Sequence, residues 1–187
     1  MNHLMVCCSI TLLFLTSCSN YWKADSSKRT SAANLKVLDI TDGQWDYLSE
    51  DLVLFTNLER LNVQNNELLE MPDCMDQLPK LRRLNVSSNQ LEELPASVAA
   101  LKALQRLNLS NNKFTSLPLA ILELTNLEVL DLRNNKLSEL PSDLSKLEKL
   151  NAIYIGGNNF TEEQRKMFRK WLPYTKIILR SNKPLLR

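Results

Sequence analysis

Leucines recur every 23 residues along the chain, at positions 35, 58, 81, 104, 127 and 150. Three and five positions after each of them stands another aliphatic residue, such as Leu107 and Leu109 after Leu104. This alternation predicts a short strand whose aliphatic side chains point inward, while offsets two, four and six lie on the open face. Six strands at one fixed period predict a stacked solenoid with a single parallel sheet.

The remainder of each repeat predicts a tight return along the outer side. A Leu-Pro or Met-Pro pair in four repeats favours turns there over a long helix. After the strands stands a column of asparagines, whose amides are expected to bond backbone groups that the turn leaves unpaired. This column consists of Asn66, Asn89, Asn112, Asn135 and Asn158.

The pattern breaks at both ends, where capping structures are expected. In the first repeat Gly43 occupies the asparagine position. After the sixth repeat, Thr161 and Gln164 form a capping-box pattern, which predicts a short helix that ends at Pro173. The residues expected to cover the last repeat's core are Met167, Phe168 and Trp171, and residues 176–179 are expected to add an edge strand.

The repeated segments, among them LERLNVQNN, LRRLNVSSN and LQRLNLSNN, match the pattern LxxLxLxxN and resemble the leucine-rich-repeat family. The 23-residue Leu-Pro type is similar to small bacterial proteins and to intracellular Ras-suppressor-type proteins. The resemblance covers about residues 34–180. It implies an α/β fold, a right-handed solenoid with a concave parallel β-sheet, short convex turns or helical turns, and a helix-plus-strand cap at 161–187. It also implies a non-catalytic protein that binds a protein partner on its concave face.

Composition removes most of the usual catalytic chemistry. The chain has 187 residues, a net charge of +2, 3 glycines and one histidine, His3, so neither nucleic-acid binding nor a glycine-rich phosphate loop is indicated. If the N-terminal segment is removed, no histidine and only Cys74 remain, and we expect no metal site, no cofactor and no disulfide framework. A leucine-rich-repeat ubiquitin ligase would need a large catalytic domain, and few residues follow the cap. We therefore expect no enzyme.

The N-terminus carries an uncharged apolar stretch followed by a cysteine. Residues 4–15 are too few to span a bilayer, which takes about 20, but they fit the apolar region of a leader. The sequence Leu15-Thr16-Ser17-Cys18 resembles the lipobox of bacterial lipoproteins, whose leader is removed and whose cysteine is acylated. This resemblance predicts a signal peptide at 1–17, lipidation of Cys18 and an anchor in the bacterial outer membrane or cell envelope.

Two other fates stay open for this segment. An ordinary signal peptidase could remove it and give a secreted protein, or it could pack as a buried helix of a cytoplasmic one. Only His3, and no lysine or arginine, precedes the apolar region, which departs from a typical leader. Residues 18–33 are rich in serine and lysine and predict a polar tether before the repeat domain at 34–187.

The open face of the sheet supplies the candidate partner-binding residues. Offset two places three arginines in one column: Arg60, Arg83 and Arg106. Offsets four and six add Asn85, Asn108, Asp131, Arg133 and Tyr154. Like charges about 5 Å apart repel by about 0.8 kcal/mol in water, so the arginine column favours a partner whose acidic groups, on a protein or an anionic glycan, bridge the guanidiniums. The alternative is that repeat duplication copied a solvated residue, with Glu59, Glu128 and Asp131 close enough to damp its field.

Two further residues have competing interpretations. Tyr154 precedes Gly156 and Gly157, which predicts open space around its ring and a contact role, or else packing against the cap. Cys74 is expected at an exposed convex position without a role, or as a redox or intermolecular disulfide site.

These patterns predict a lipid-anchored, non-catalytic binding module of the bacterial cell envelope that holds a protein or glycan partner on its concave face. The alternative is a soluble scaffold or a secreted effector that makes protein–protein interactions inside a cell.

Overall fold

The computed structural model describes residues 32–180, in which seven parallel strands pair in chain order to form one open sheet. The strands are β1 (Val37–Asp39), β2 (Arg60–Asn62), β3 (Arg83–Asn85), β4 (Arg106–Asn108), β5 (Val129–Asp131), β6 (Ala152–Tyr154) and β7 (Lys176–Ile178). The predicted repeat solenoid with a concave parallel sheet is confirmed. The predicted signal peptide and Cys18 lie outside the described residues.

The register of the sheet follows the repeat period. Each of the first five strands pairs residue for residue with the strand one repeat later, so that Leu84 lies beside Leu107 and Leu107 beside Leu130. These central leucines point into the core: Leu107 is 1% exposed, and Leu109 is fully buried. Burial of these aliphatic residues fixes the register of the strands. A slip by one residue would turn the leucines to the open face of the sheet.

The convex side is built from 3-10 helices of three to five residues. They span Glu50–Leu54, Met75–Gln77, Ala96–Ala100, Leu119–Glu123 and Ser142–Lys146. Pro95, Pro118 and Pro141 precede the last three. Each helix buries one apolar side chain, such as Val98 or Ile121, against the core. The prediction of short helical turns is confirmed, and their shortness brings successive strands back into register.

The asparagine column joins neighbouring repeats through backbone groups. Asn112 Nδ2 donates to the carbonyl oxygens of Val86 and Leu109 at 3.0 and 3.1 Å, and its Oδ1 accepts from the Leu91 N–H at 3.0 Å. Asn66, Asn89, Asn135 and Asn158 make the corresponding bonds. One side chain thus satisfies buried backbone groups of two repeats where the chain leaves the sheet. Gly43 has no side-chain amide, and its backbone N–H donates to Asn66 Oδ1.

The turn at each asparagine requires a left-handed residue immediately before it. This position has positive φ at Asp42, Asn65, Ser88, Asn111 and Asn134, with φ between 53° and 58°. Short polar side chains tolerate this conformation better than branched ones do. The sixth repeat uses Gly157 there, with φ 74°.

The C-terminal helix spans Glu162–Trp171 and begins with the predicted capping box, in which Thr161 Oγ1 accepts from the Gln164 N–H and Gln164 Oε1 accepts from the Thr161 N–H. Phe168 is buried and packs edge-to-face on Phe160, with 5.0 Å between ring centroids. The prediction for Met167 is wrong: it is 47% exposed, because it lies on the solvent side of the helix.

The edge strand β7 pairs in parallel with β6, as predicted, although it ends at Ile178 rather than at Leu179. At the other end of the domain, Ala32 is buried, and Asn57 Nδ2 donates to the Ala33 carbonyl at 2.7 Å. The last two residues of the predicted tether therefore pack on the domain.

Candidate partner-binding surface

Arg60, Arg83 and Arg106 form an unbroken strip across the middle of the sheet, here called the arginine strip. Cα pairing places Arg60 beside Arg83 and Arg83 beside Arg106 in adjacent strands, which lie about 4.8 Å apart. Arg83 is exposed, and the outer two are half-buried. The register therefore places three arginines in a row on the concave face, with Arg83 as the exposed member.

Two of the three carboxylates expected to damp this field are committed to other cations. Glu59 Oε1 lies 2.9 Å from Lys36 Nζ, and this hydrogen bond and charge lower the pKa of the Glu59 carboxyl. Asp131 is paired with Arg133. The arginine strip consequently keeps more of its positive field than the sequence suggests.

The asparagines beside the strip are engaged within the sheet. Asn85 Nδ2 donates to Gln64 Oε1 at 2.8 Å, and its Oδ1 accepts from the Ser87 N–H at 3.1 Å. Asn108 is buried, and its Oδ1 accepts from both the N–H and the hydroxyl of Ser110, at 3.0 and 2.8 Å. Asn108 was expected on an exposed face. Asn108 is instead buried together with Ser110, which hydrogen-bonds its carbonyl oxygen, so its side chain is not presented to a partner.

Asp131 and Arg133 also depart from the expected exposed face. Their side chains are 2% and 6% exposed, and the guanidinium bonds the carboxylate through two nitrogens, with Nε–Oδ1 2.9 Å and Nη2–Oδ2 2.6 Å. The Arg133 N–H also donates to Asp131 Oδ1 at 3.1 Å. Neither charge is presented to solvent, because the fork geometry lets each neutralise the other.

The Asp131–Arg133 ion pair is indicated by the sequence, but considering each column separately does not reveal it. In the fifth repeat, asparagine becomes Asp131 at offset four and serine becomes Arg133 at offset six. Residues i and i+2 of a strand share a face. Two opposite charges that enter adjacent columns together therefore indicate a pair.

Of the two expectations for Tyr154, open space around its ring or packing against the cap, the first is wrong. Its ring lies over the Arg133 guanidinium, with 5.4 Å from Cζ to the ring centroid, and it is half-buried. A side chain at Gly156 would overlap the backbone of Leu179 and Arg180, so this glycine permits the cap to approach. The ring is held by a cation–π contact at the end of the sheet where the cap begins.

Cys74 is buried and not exposed, so that prediction is wrong. It precedes the 3-10 helix Met75–Gln77, and its Sγ lies 3.8 Å from the Glu50 carbonyl oxygen of the preceding repeat. Burial, with three nearby carboxylates, raises the pKa of its thiol to about 11. Such a thiol is poorly suited to redox exchange, since the thiolate is the reactive form.

Within residues 32–180, no group of three His, Cys, Asp or Glu side chains is placed to hold a metal ion. No helix in that same range is long and apolar enough to cross a membrane.

Comparison with known proteins bears on the fold and the family. A family model described as Leucine rich repeat matches residues 33–91, 79–120 and 102–160. A leucine-rich-repeat protein of Leptospira interrogans has a similar structure, with TM-score 0.64 and 30% identity over 77% of this chain and 43% of that one. An internalin of Listeria monocytogenes gives TM-score 0.67 and 21% identity over 85% of this chain and 45% of that one. The comparison with curated proteins gives no match.

The chain spans less than half the length of both similar structures. The likeness to the internalin concerns the fold alone.

Proposed function

Because the chain belongs to the leucine-rich repeat family, we propose that it is a non-catalytic binding module that holds an acidic protein partner on its concave sheet and is lipid-anchored at the bacterial cell envelope. The observation that carries the binding part is the in-register arginine strip on the open face. Repeat proteins of this type offer an extended concave surface for partners.

The chemistry of the surface favours acidic groups. A guanidinium presents a planar fork of donors that matches a carboxylate. Arg83, at the centre of the strip, is exposed and pairs with no carboxylate among residues 32–180. The rigid sheet fixes the spacing of the three arginines before binding, which lowers the entropic cost of association. Acidic side chains of a protein segment laid across the strands can reach several of them together.

Tyr154 extends the surface at its C-terminal end. Aromatic residues held in one orientation provide contact area at low conformational cost. In this proposal the buried Asp131–Arg133 pair positions the ring, and Asn85 and Asn108 stiffen the strands below the partner. The contact residues proper are then the arginine strip and Tyr154.

We expect Arg83→Glu to weaken capture of the partner about tenfold or more, because it removes one exposed ion pair and adds repulsion at the centre of the strip. Binding of the wild type should also weaken as salt rises, since exposed charges are screened within about 8–10 Å at physiological ionic strength. The measurement is a pull-down from envelope extract at two salt concentrations.

The matched control is Lys146→Glu on the convex side, where Lys146 pairs with Asp143 at 2.6 Å and is 67% exposed. This reversal should leave capture of the partner unchanged. The free energy of unfolding of both variants should lie within about 0.5 kcal/mol of the wild-type value. If Arg83→Glu retains every partner, the strip is a by-product of repeat duplication, and Tyr154 becomes the better candidate.

The lipid anchor is tested by intact mass spectrometry of the full chain expressed in a bacterium. We expect loss of residues 1–17 and diacylglyceryl mass on Cys18, because Leu15-Thr16-Ser17-Cys18 fits the lipobox. Cys18→Ala should lose both the modification and membrane association, since acyl chains contribute about 0.8 kcal/mol per buried methylene. An unprocessed chain would favour the soluble scaffold, and a cleaved but unacylated one would favour secretion.

The proposed binding face does not depend on the anchor, so the two experiments succeed or fail independently.

A further inference from the structure

The convex helices of the third and fourth repeats differ from their neighbours in composition. They read ASVAA and LAILE, with one charge between them, whereas the first and fifth read EDLVL and SDLSK. Solvent-facing helices that flank this stretch thus keep their charges, while the two in the middle expose alanine and leucine. Repeat duplication does not explain Leu119 and Ala120, because the equivalent positions in the first and fifth repeats are polar: Glu50, Asp51, Ser142 and Asp143.

These two helices border an open groove of about 500 Å³, here called the convex groove. Ala96, Ala99, Pro118 and Ala120 contribute to its lining, and Leu119 stands beside them. Leu119 is 69% exposed, against full burial for Ile121 two residues later. A partner can therefore pack both on the exposed Leu119 side chain and in the convex groove beside it.

The rim of the convex groove is acidic. Glu92, Glu93 and Glu123 line it. Glu92 and Glu93 are exposed and make no ion pair with any side chain in residues 32–180. Glu123 is 64% exposed and meets Lys102 at 3.3 Å, and exposed pairs of this length are weak. The groove therefore combines an apolar floor with two uncompensated negative charges.

We propose that the convex groove docks a short segment of a second protein partner that alternates lysine or arginine with leucine-type side chains. The apolar side chains would cover Leu119 and the alanines, and the cations would pair with Glu92 and Glu93. The acidic rim disfavours nucleic acid and anionic membranes, which carry the same sign of charge. Since this face lies opposite the arginine strip, the module holds a basic partner on one side and an acidic partner on the other.

The experiment uses the full chain and a fluorescent ten-residue peptide that alternates lysine and leucine. Anisotropy titration should show saturable binding, weakened about tenfold by the double variant Glu92→Lys/Glu93→Lys, because both attractive pairs become repulsive. Leu119→Ala should also weaken it, by about threefold to tenfold, through lost apolar contact. Two control peptides should each bind about tenfold more weakly. One alternates lysine with serine and keeps only the positive charges, and the other alternates glutamate with leucine and keeps only the apolar side chains.

Controls separate this surface from the concave one. Glu162→Lys/Glu163→Lys on the C-terminal helix reverses two exposed acidic residues outside the groove and should leave the affinity unchanged. Arg83→Glu should also leave it unchanged, so failure here is distinct from failure of the proposed concave function. If the lysine variant is poorly folded by circular dichroism, Glu92→Gln/Glu93→Gln replaces it.

The proposal is overturned if both groove variants bind the lysine–leucine peptide as tightly as the wild type. It is overturned equally if the lysine–serine peptide binds as well, since charge alone would then suffice. Light scattering that shows a dimer abolished by Leu119→Ala would assign the groove to a second copy of the chain instead.

Discussion

Asp131→Ala should lower the free energy of unfolding by about 3–5 kcal/mol, the cost of removing one member of a buried ion pair. The Arg133 guanidinium is 6% exposed and bonds both oxygens of the Asp131 carboxylate, at 2.6 to 3.1 Å. Removal of the carboxylate takes away the oxygens that accept from those N–H groups. The Arg133 cation then lies in a site with little water. Chemical denaturation at neutral pH, followed by circular dichroism, measures the change.

The double variant Asp131→Val/Arg133→Met is the informative comparison. Apolar residues of similar volume often replace a buried ion pair with little loss, so it should recover most of the stability that Asp131→Ala removes. Tyr154 would then lose its cation–π contact, and binding at that end of the sheet should weaken although the fold is restored. If the free energy of unfolding of Asp131→Ala lies within about 0.5 kcal/mol of the wild-type value, the ion pair is not buried in solution.

Leu107→Ala should cost about 2–5 kcal/mol, because it empties the volume of a leucine in the middle of the stack. Leu107 is 1% exposed, and strand pairing places it between Leu84 and Leu130. A cavity there also weakens the contacts between neighbouring repeats, on which the stability of a solenoid depends. The same denaturation experiment measures it.

Leu119→Ala is a matched control, since it makes the same chemical change at a leucine that is 69% exposed. It should shift stability by no more than about 0.5 kcal/mol. Equal losses at the two positions would mean that the inward and outward faces of the repeats have been assigned wrongly.

The solenoid could be predicted from the sequence because every repeat has the same pattern of apolar and polar positions and therefore adopts the same local structure. Leu107 and Leu109 are buried because period-two alternation leaves one face of the strand apolar. Asn112 bonds the backbone because its side-chain amide offers two N–H donors and a carbonyl acceptor at that turn. The capping box at Thr161 was equally accessible, since it depends on residues three positions apart.

The errors concern side-chain contacts that a pattern analysed one column at a time does not contain. Cys74 occupies a position that looks convex, yet it packs under Glu50 of the preceding repeat. Gly156 looked like open space, but it is small because the cap backbone approaches it. Asp131 and Arg133 looked like two surface charges, and their pairing follows from a change in two columns together. The surroundings of Cys74 and Gly156 are set by residues distant in sequence, whereas the Asp131–Arg133 pair lies within one repeat.

Site-specific photo-crosslinking tests the central claim, that the concave sheet holds an acidic partner, most directly. A photoreactive amino acid is placed at Asn62, which is half-buried on the concave face beside Asn85, or at the exposed convex Lys146. We expect the partner captured from envelope extract to be crosslinked covalently from position 62 and not from 146. Adding Arg83→Glu should abolish the adduct. Crosslinking of that partner from position 146 alone, with Arg83→Glu without effect, would contradict the account.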